Sequence, residues 1–333
     1  MRSGRLTCIL SFVLALGSGT AAIDAALPPI SLATRELDAY AARREAGGVL
    51  FVGSSHFRHQ IVPSEFDSIV SSTGRPTHSF MISDSALTLL EARDVIETLI
   101  ARGHPKPHAV FVEPNIGVIP GFRGEPDDRQ IAFHSLPNTI RHLRLLRDTA
   151  EFDSPFDYRS AVIGSVKATA MRIFNIGRIS ERLVRYNRPP DMGPARDGYF
   201  PLAGRSPAFE SFLDNYRQGL ATRNSPNPTA WRLSDGQVQA VASVIDIAER
   251  HGIKAYVLVP PHWSAWQMTF ALTKQLPQAR PDIGIIDLSK PDEHPDLYAV
   301  DIRWDGGHLN EQGAVLFTRK LAAAYLAHLD QAR

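Results

Sequence analysis

The sequence predicts an α/β/α sandwich: a central parallel sheet between helices, interrupted by a mainly helical insertion. Three observations predict it. The apolar run at 49–52 has the length and continuity of a strand buried on both faces, and further strands are expected at 77–82, 108–113, 254–259 and 284–288. Segments with helical spacing alternate with them, which calls for right-handed crossovers between parallel strands. From Gly117 to about Arg232 the alternation stops, and that stretch offers no convincing buried strand.

The elements are read in order. Residues 27–48 give a connection and a helix with Leu37, Tyr40 and Ala41 on one side. The first strand, 49–52, runs into Gly53-Ser54-Ser55. Pro63 and Ser64 open a short helix through Ile69 that ends near Gly74. After the strand at 77–82, Leu89, Ala92, Ile96 and Leu99 recur at helical spacing, and Gly103 stops the helix. The strand at 108–113 is closed by Pro114. In the insertion, about 117–232, the stretches 139–149 and 159–186 have helical spacing, and 188–201 is rich in turn formers. The many arginines there either solvate helix faces or form a cap that attracts an acidic or glycan substrate. Order returns with a capping box, Ser234 to Gln237, before a helix carrying Val238, Val241, Ile245 and Ala248, with Gly252 past its end. Strands at 254–259 and 284–288 follow. Asn310 caps a last helix whose inner face holds Phe317, Leu321 and Tyr325.

The N-terminus reads as a signal peptide, residues 1–25. Arg2 and Arg5 precede an apolar run at 6–16, and small residues follow at 17–22. Cleavage is expected between Ala21 and Ala26, with an uncleaved membrane anchor as the alternative reading. The single cysteine, Cys8, lies inside this segment. The mature chain therefore has no disulfide and no thiol nucleophile, and one domain, 27–333, stands on its core alone. A periplasmic or secreted protein is expected. The formal net charge of +1 gives no general attraction for nucleic acid.

The chemistry concentrates at two turns. Ser54 and Ser55 follow a strand, and open α/β sheets bind ligands beyond the carboxyl ends of their strands. Near the other end, Asp305 and His308 stand three apart around Gly306 and Gly307, where helix is disfavoured. A serine hydroxyl needs a base to take its proton, an imidazole serves near neutral pH, and a carboxylate fixes the imidazole's tautomer. Each feature also has a plainer reading. The serines could simply cap a helix. Asp305 could form a turn and His308 a cap. His56 and His59, with Asp305, could imitate a metal site, but no third histidine has ligand spacing, so no metal and no cofactor are expected. His262 either lines the pocket or stacks on Trp263.

Gly53-Ser54-Ser55 after a strand, with Asp305-x-x-His308 before a C-terminal helix, resembles the SGNH (GDSL-like) hydrolases and acyltransferases. The likeness covers roughly 45–115 and 230–330. It is nearest in motif to exported Gly-Ser-Ser variants, such as the D-alanyl-transfer protein of teichoic acids and exopolysaccharide O-acetyltransferase-like proteins. The resemblance implies Ser55 as nucleophile, His308 as base and Asp305 as its partner. It implies an oxyanion hole from the N–H groups of Ser55 and Met81 and the side chain of Asn115. Two departures stand out: the family's second-block Gly is absent from 79–85, and the third block reads Glu113-Pro-Asn115. His56, His262 and Trp263 are expected to touch substrate. The function implied is an exported O-acyltransferase or esterase acting on cell-envelope or exopolysaccharide O-acyl groups, with a membrane O-acyltransferase as acyl donor. A non-catalytic glycan-binding module of the same fold is the alternative.

Overall fold

The computed structural model describes residues 2–26, 32–43, 47–116, 126, 128–148, 155–174, 192–223, 233–262 and 266–331. They form, in chain order, α1 (Arg2–Ala26), α2 (Leu32–Ala41), β1 (Val49–Gly53), α3 (Ser55–Gln60), α4 (Pro63–Ser72), β2 (Phe80–Ser83), α5 (Leu89–Ala101), β3 (Ala109–Val112), α6 (Asp128–Phe133), α7 (Leu136–Asp148), α8 (Pro155–Phe174), α9 (Pro207–Glu210), α10 (Leu213–Arg223), α11 (Asp235–Arg250), β4 (Lys254–Val259), α12 (Trp266–Ala279), β5 (Gly284–Asp287) and α13 (Glu311–Gln331), with two 3-10 turns, Pro295–Tyr298 and Val300–Ile302.

The chain divides into two compact units: residues 1–35 with 118–190, and residues 36–117 with 191–333. The later segment of the larger unit begins at residue 191, inside the expected insertion of about 117–232. Among the described residues the stretch 117–232 contains no strand, and the part of its second expected helix beyond Phe174 lies outside the described residues.

In the larger unit five strands pair in parallel in the order β2-β1-β3-β4-β5. This is the flavodoxin-like order, and its switch point lies between β1 and β3. The buried runs explain the sheet: β1, β2 and β3 are buried at every position. Phe51, Phe111 and Tyr256 stand in register on adjacent strands. Their rings stack at 5.2 Å from one strand to the next, and Tyr325 of α13 meets Phe111 edge-on at 5.3 Å. That ladder, with Phe66 of α4 and Leu321 of α13, is the core of one face. On the other side α5 and α11 pack on each other and on β1 and β4. Both helices open with a capping box, Thr88 with Glu91 and Ser234 with Gln237. Gly103 and Gly252, with φ of +65° and +77°, follow their ends.

The smaller unit packs α6 and α7 against α8, and α1 also contacts α8. Its interior is polar for a core. His142 and Ser165 are both buried and joined at 3.0 Å, and Thr139 meets Thr169 at 2.6 Å. Burial, with the His134 charge beside it, pushes the His142 imidazole down to about 3. No helix among the described residues is long and apolar enough to cross a membrane.

Candidate active site

The carboxyl ends of β1 and β3 bring Gly53-Ser54-Ser55 and Glu113 together at the switch point. Gly53 is required by close approach rather than by a left-handed turn. A Cβ there would stand 2.6 Å from the Phe57 ring and 2.8 Å from Glu113 Oε2. Ser54 is the N-cap of α3, its Oγ accepting the His56 N–H at 3.2 Å, and it is 1% exposed. Ser55 is the first residue of α3 and only half-buried. So of the two serines, one caps and the next is reachable.

The turn at 304–308 presents His308. Arg303 and Leu309 form an antiparallel bridge that closes it. Asp305 Oδ1 accepts the N–H groups of Gly307 and His308 at 2.7 and 2.6 Å, so the carboxylate shapes its own loop. The His308 ring then turns back on it, with Nδ1 3.0 Å from both Asp305 oxygens. A carboxylate only accepts, which places the ring proton on Nδ1 and leaves Nε2 as acceptor. Nε2 lies 2.9 Å from Ser55 Oγ. Burial pushes Asp305 up, but the His308 ring and the two loop N–H groups outweigh it and hold the carboxyl below its ordinary value. The turn's carbonyls are held from two sides. Gln60 Nε2 donates to Gly307 O at 2.9 Å, and Arg303 Nη2 donates to Gly306 O at 2.8 Å.

A second carboxylate–imidazole pair adjoins the first. Glu113 accepts the Ser54 N–H on Oε2 at 2.5 Å, and the Ser54 hydroxyl and His56 Nδ1 on Oε1 at 3.0 and 2.9 Å. Burial would raise its pKa; the His56 charge and these hydrogen bonds hold it below the ordinary glutamate value. The His56 ring stacks on His308 at 5.2 Å and meets His262 edge-on at 4.5 Å. His262 Nε2 also lies 3.3 Å from where a Cβ on Gly307 would stand. His262 therefore borders the 304–308 turn, while Trp263 lies outside the described residues. His59 donates from Nδ1 to Phe200 O at 2.7 Å, and its ring faces His308 edge-on at 5.6 Å. Burial lowers the His59 pKa, against the pull of the Phe200 carbonyl. Among the described residues no group of three or more His, Cys, Asp or Glu is arranged to hold a metal.

The oxyanion assignments fare differently. Met81 is corrected. It lies in mid-strand, paired with Phe51, and its N–H donates to Asp197 O at 2.9 Å. Asn115 stands just past Glu113, and its Nδ2 donates to Leu87 O at 3.0 Å, tying the switch-point loop to the entry of α5. The Ser55 N–H is in the first turn of α3, where backbone donors have no intrahelical acceptor. Beside Asp305 and His308 opens a groove of about 500 Å³ bordered by Ser206, Phe209, Phe212 and Trp304. Glu113, Arg303 and these aromatic residues are not singled out by sequence reasoning. The one available signal was a glutamate ending a buried strand, where an ordinary charge would not be left unpaired.

No protein-family model matches this chain, and no curated protein matches it.

Proposed function

We propose that the chain is an exported, serine-dependent acyl-transfer enzyme of the SGNH type, an O-acyltransferase or esterase acting on O-acyl groups of cell-envelope or exopolysaccharide glycans. The observation that carries this reading is the unbroken relay from Ser55 Oγ through His308 to Asp305, 2.9 and 3.0 Å long, at the carboxyl edge of a parallel sheet. Ser55 Oγ attacks the acyl carbonyl as its proton passes to His308 Nε2. The oxyanion meets the Ser55 N–H. His308 returns the proton to the departing alcohol, and water or a sugar hydroxyl then takes the acyl group by the reverse path. The aromatic border of the groove supports a saccharide, since rings such as Trp304 and Phe212 offer flat apolar faces to a sugar. A membrane O-acyltransferase is the donor this reading calls for.

One observation favours a second reading, a glycan-binding module without catalysis: the Met81 N–H is engaged by Asp197 and offers nothing to an oxyanion. A fluorophosphonate probe and p-nitrophenyl acetate separate the two. The enzyme reading expects wild type to be labelled and to release nitrophenol, and Ser55→Ala to do neither. Equal labelling of wild type and Ser55→Ala removes Ser55 from the mechanism. Absent labelling with glycan binding that survives His308→Ala selects the module.

A further inference from the structure

The smaller unit wears its apolar side chains on the outside. Among the described residues every large apolar side chain that is well exposed belongs to it: four on α1, Leu136 and Ile140 on α7, and Ile163, Val166, Ile173 and Phe174 on α8. The described residues of the sheet-bearing unit include none. At 100° per residue, Ile163, Val166, Ile173 and Phe174 fall on one stripe of α8. The opposite stripe is made of small residues, Ala161, Ser165, Ala168 and Thr169, all buried. A water-facing helix has the reverse pattern; small residues inward and large apolar residues outward is the arrangement of helices that face lipid.

Charge points the same way. By sequence this unit carries 15 Lys and Arg against nine Asp and Glu, a formal +6, and the rest of the chain carries −5. Arg159 is exposed at the N-terminal end of the apolar stripe of α8 and Lys167 at its edge, and Arg144 is exposed one turn beyond Ile140 on α7. Basic side chains flanking an apolar stripe suit a surface with acyl chains below and anionic headgroups above. Helix α8 is 20 residues long but interrupted by charge, so it fits the plane of a bilayer surface rather than a crossing.

We propose that the unit formed by residues 1–35 and 118–190 is a membrane-docking module that lays the outward face of α8 into the surface of an anionic bilayer. This is independent of the chemistry at Ser55. The test is flotation of the full chain with phosphatidylglycerol-rich vesicles and with neutral phosphatidylcholine vesicles, at low and high salt. Wild type and Ser55→Ala are expected to float with the anionic vesicles equally, and less at high salt. Val166→Asp with Ile173→Asp lowers binding by roughly tenfold or more. Lys167→Glu, a surface change outside the packed face, lowers binding to anionic vesicles and leaves neutral vesicles unaffected. Three results overturn the proposal. One is no flotation of wild type. Another is flotation that neither variant changes, which assigns it to α1 alone. The third is a concentration-dependent oligomer, seen by light scattering, that the double variant abolishes, which makes the face a contact between copies.

Discussion

The buried Glu113 carboxylate receives the Nδ1–H of His56 at 2.9 Å, on the same oxygen that takes the Ser54 hydroxyl. One side chain at the end of β3 thus fixes the residue before Ser55 and the residue after it. It also sets the plane of a ring stacked on His308.

That arrangement makes Glu113 a stability group with a definite sign. Its folded pKa lies below the ordinary value. Its contribution is therefore fully present above the unfolded glutamate range and is lost as pH falls through the folded value. Glu113→Gln is expected to destabilise by about 1.5–3 kcal/mol near neutral pH, the scale of hydrogen bonds to a charged group. Denaturant midpoints measured from neutral to acid pH should show the gap between wild type and variant closing in acid. A gap that does not depend on pH would mean the carboxylate is not charged in the native state.

Asp305 has two roles that can be separated by substitution. It shapes the turn through the Gly307 and His308 N–H groups, and it fixes the imidazole proton on Nδ1. Asn keeps an oxygen for the turn but can present an N–H to the ring, which reverses the tautomer. Asp305→Asn is expected to leave the melting curve close to wild type and to lower kcat by about 10⁴-fold. Ester turnover and thermal unfolding, measured on the same preparation, check both halves.

Among the described residues Arg303 is the largest fully buried side chain, and its guanidinium supports the turn that carries Asp305 and His308. Nη2 holds Gly306 O, and the group lies over Tyr298 and Tyr216 at 5.4 and 5.7 Å from the ring centres. A lysine ammonium is a compact point charge that cannot reproduce a planar group lying between rings. Arg303→Lys is expected to cost about 10- to 100-fold in kcat through displacement of His308, with KM changing much less. A loss confined to KM would make Arg303 a groove residue rather than a positioning one.

What could be read from the sequence was what is local. The strand at 254–259 is legible because the five residues after Lys254 form one apolar run, and α11 because its capping box and its stop are each written in local sequence. Asp305 and His308 are legible because the pair lies within one turn. The start of β2 is not, because Ser79, just before Phe80, gives its N–H to Asp67 at 2.8–2.9 Å instead of to a strand. Helix α3 is six polar-rich residues with no period to detect. Helix α12 was hidden by Pro277, which the fold accepts inside it. Glu113 acts across 57 to 59 residues, and Arg303 also reaches Pro261 O, 42 residues away, and the Tyr216 ring; no spacing rule links a buried charge to partners so remote.

Ala86 gives a test of strain beside the site. It is exposed in the turn after β2, with φ of 51°, a left-handed conformation that a Cβ disfavours. The turn is held on both sides of it: Leu87 N–H donates to Asp84 O at 3.0 Å, and Asp84 N–H reaches Gly53 O at 3.3 Å, just before Ser54 and Ser55. A left-handed alanine costs about 1–2 kcal/mol relative to the right-handed form, and glycine returns part of that as unfolded-chain entropy. Ala86→Gly is therefore expected to stabilise by about 0.5–1 kcal/mol, whereas Ala86→Val, branched at Cβ, should destabilise by more than about 1 kcal/mol. Denaturant unfolding of the pair decides it. Equal midpoints for the Gly and Val variants would mean the turn relaxes to another conformation, and the hydrogen bond from Asp84 to Gly53 would then not hold the strand ends in register.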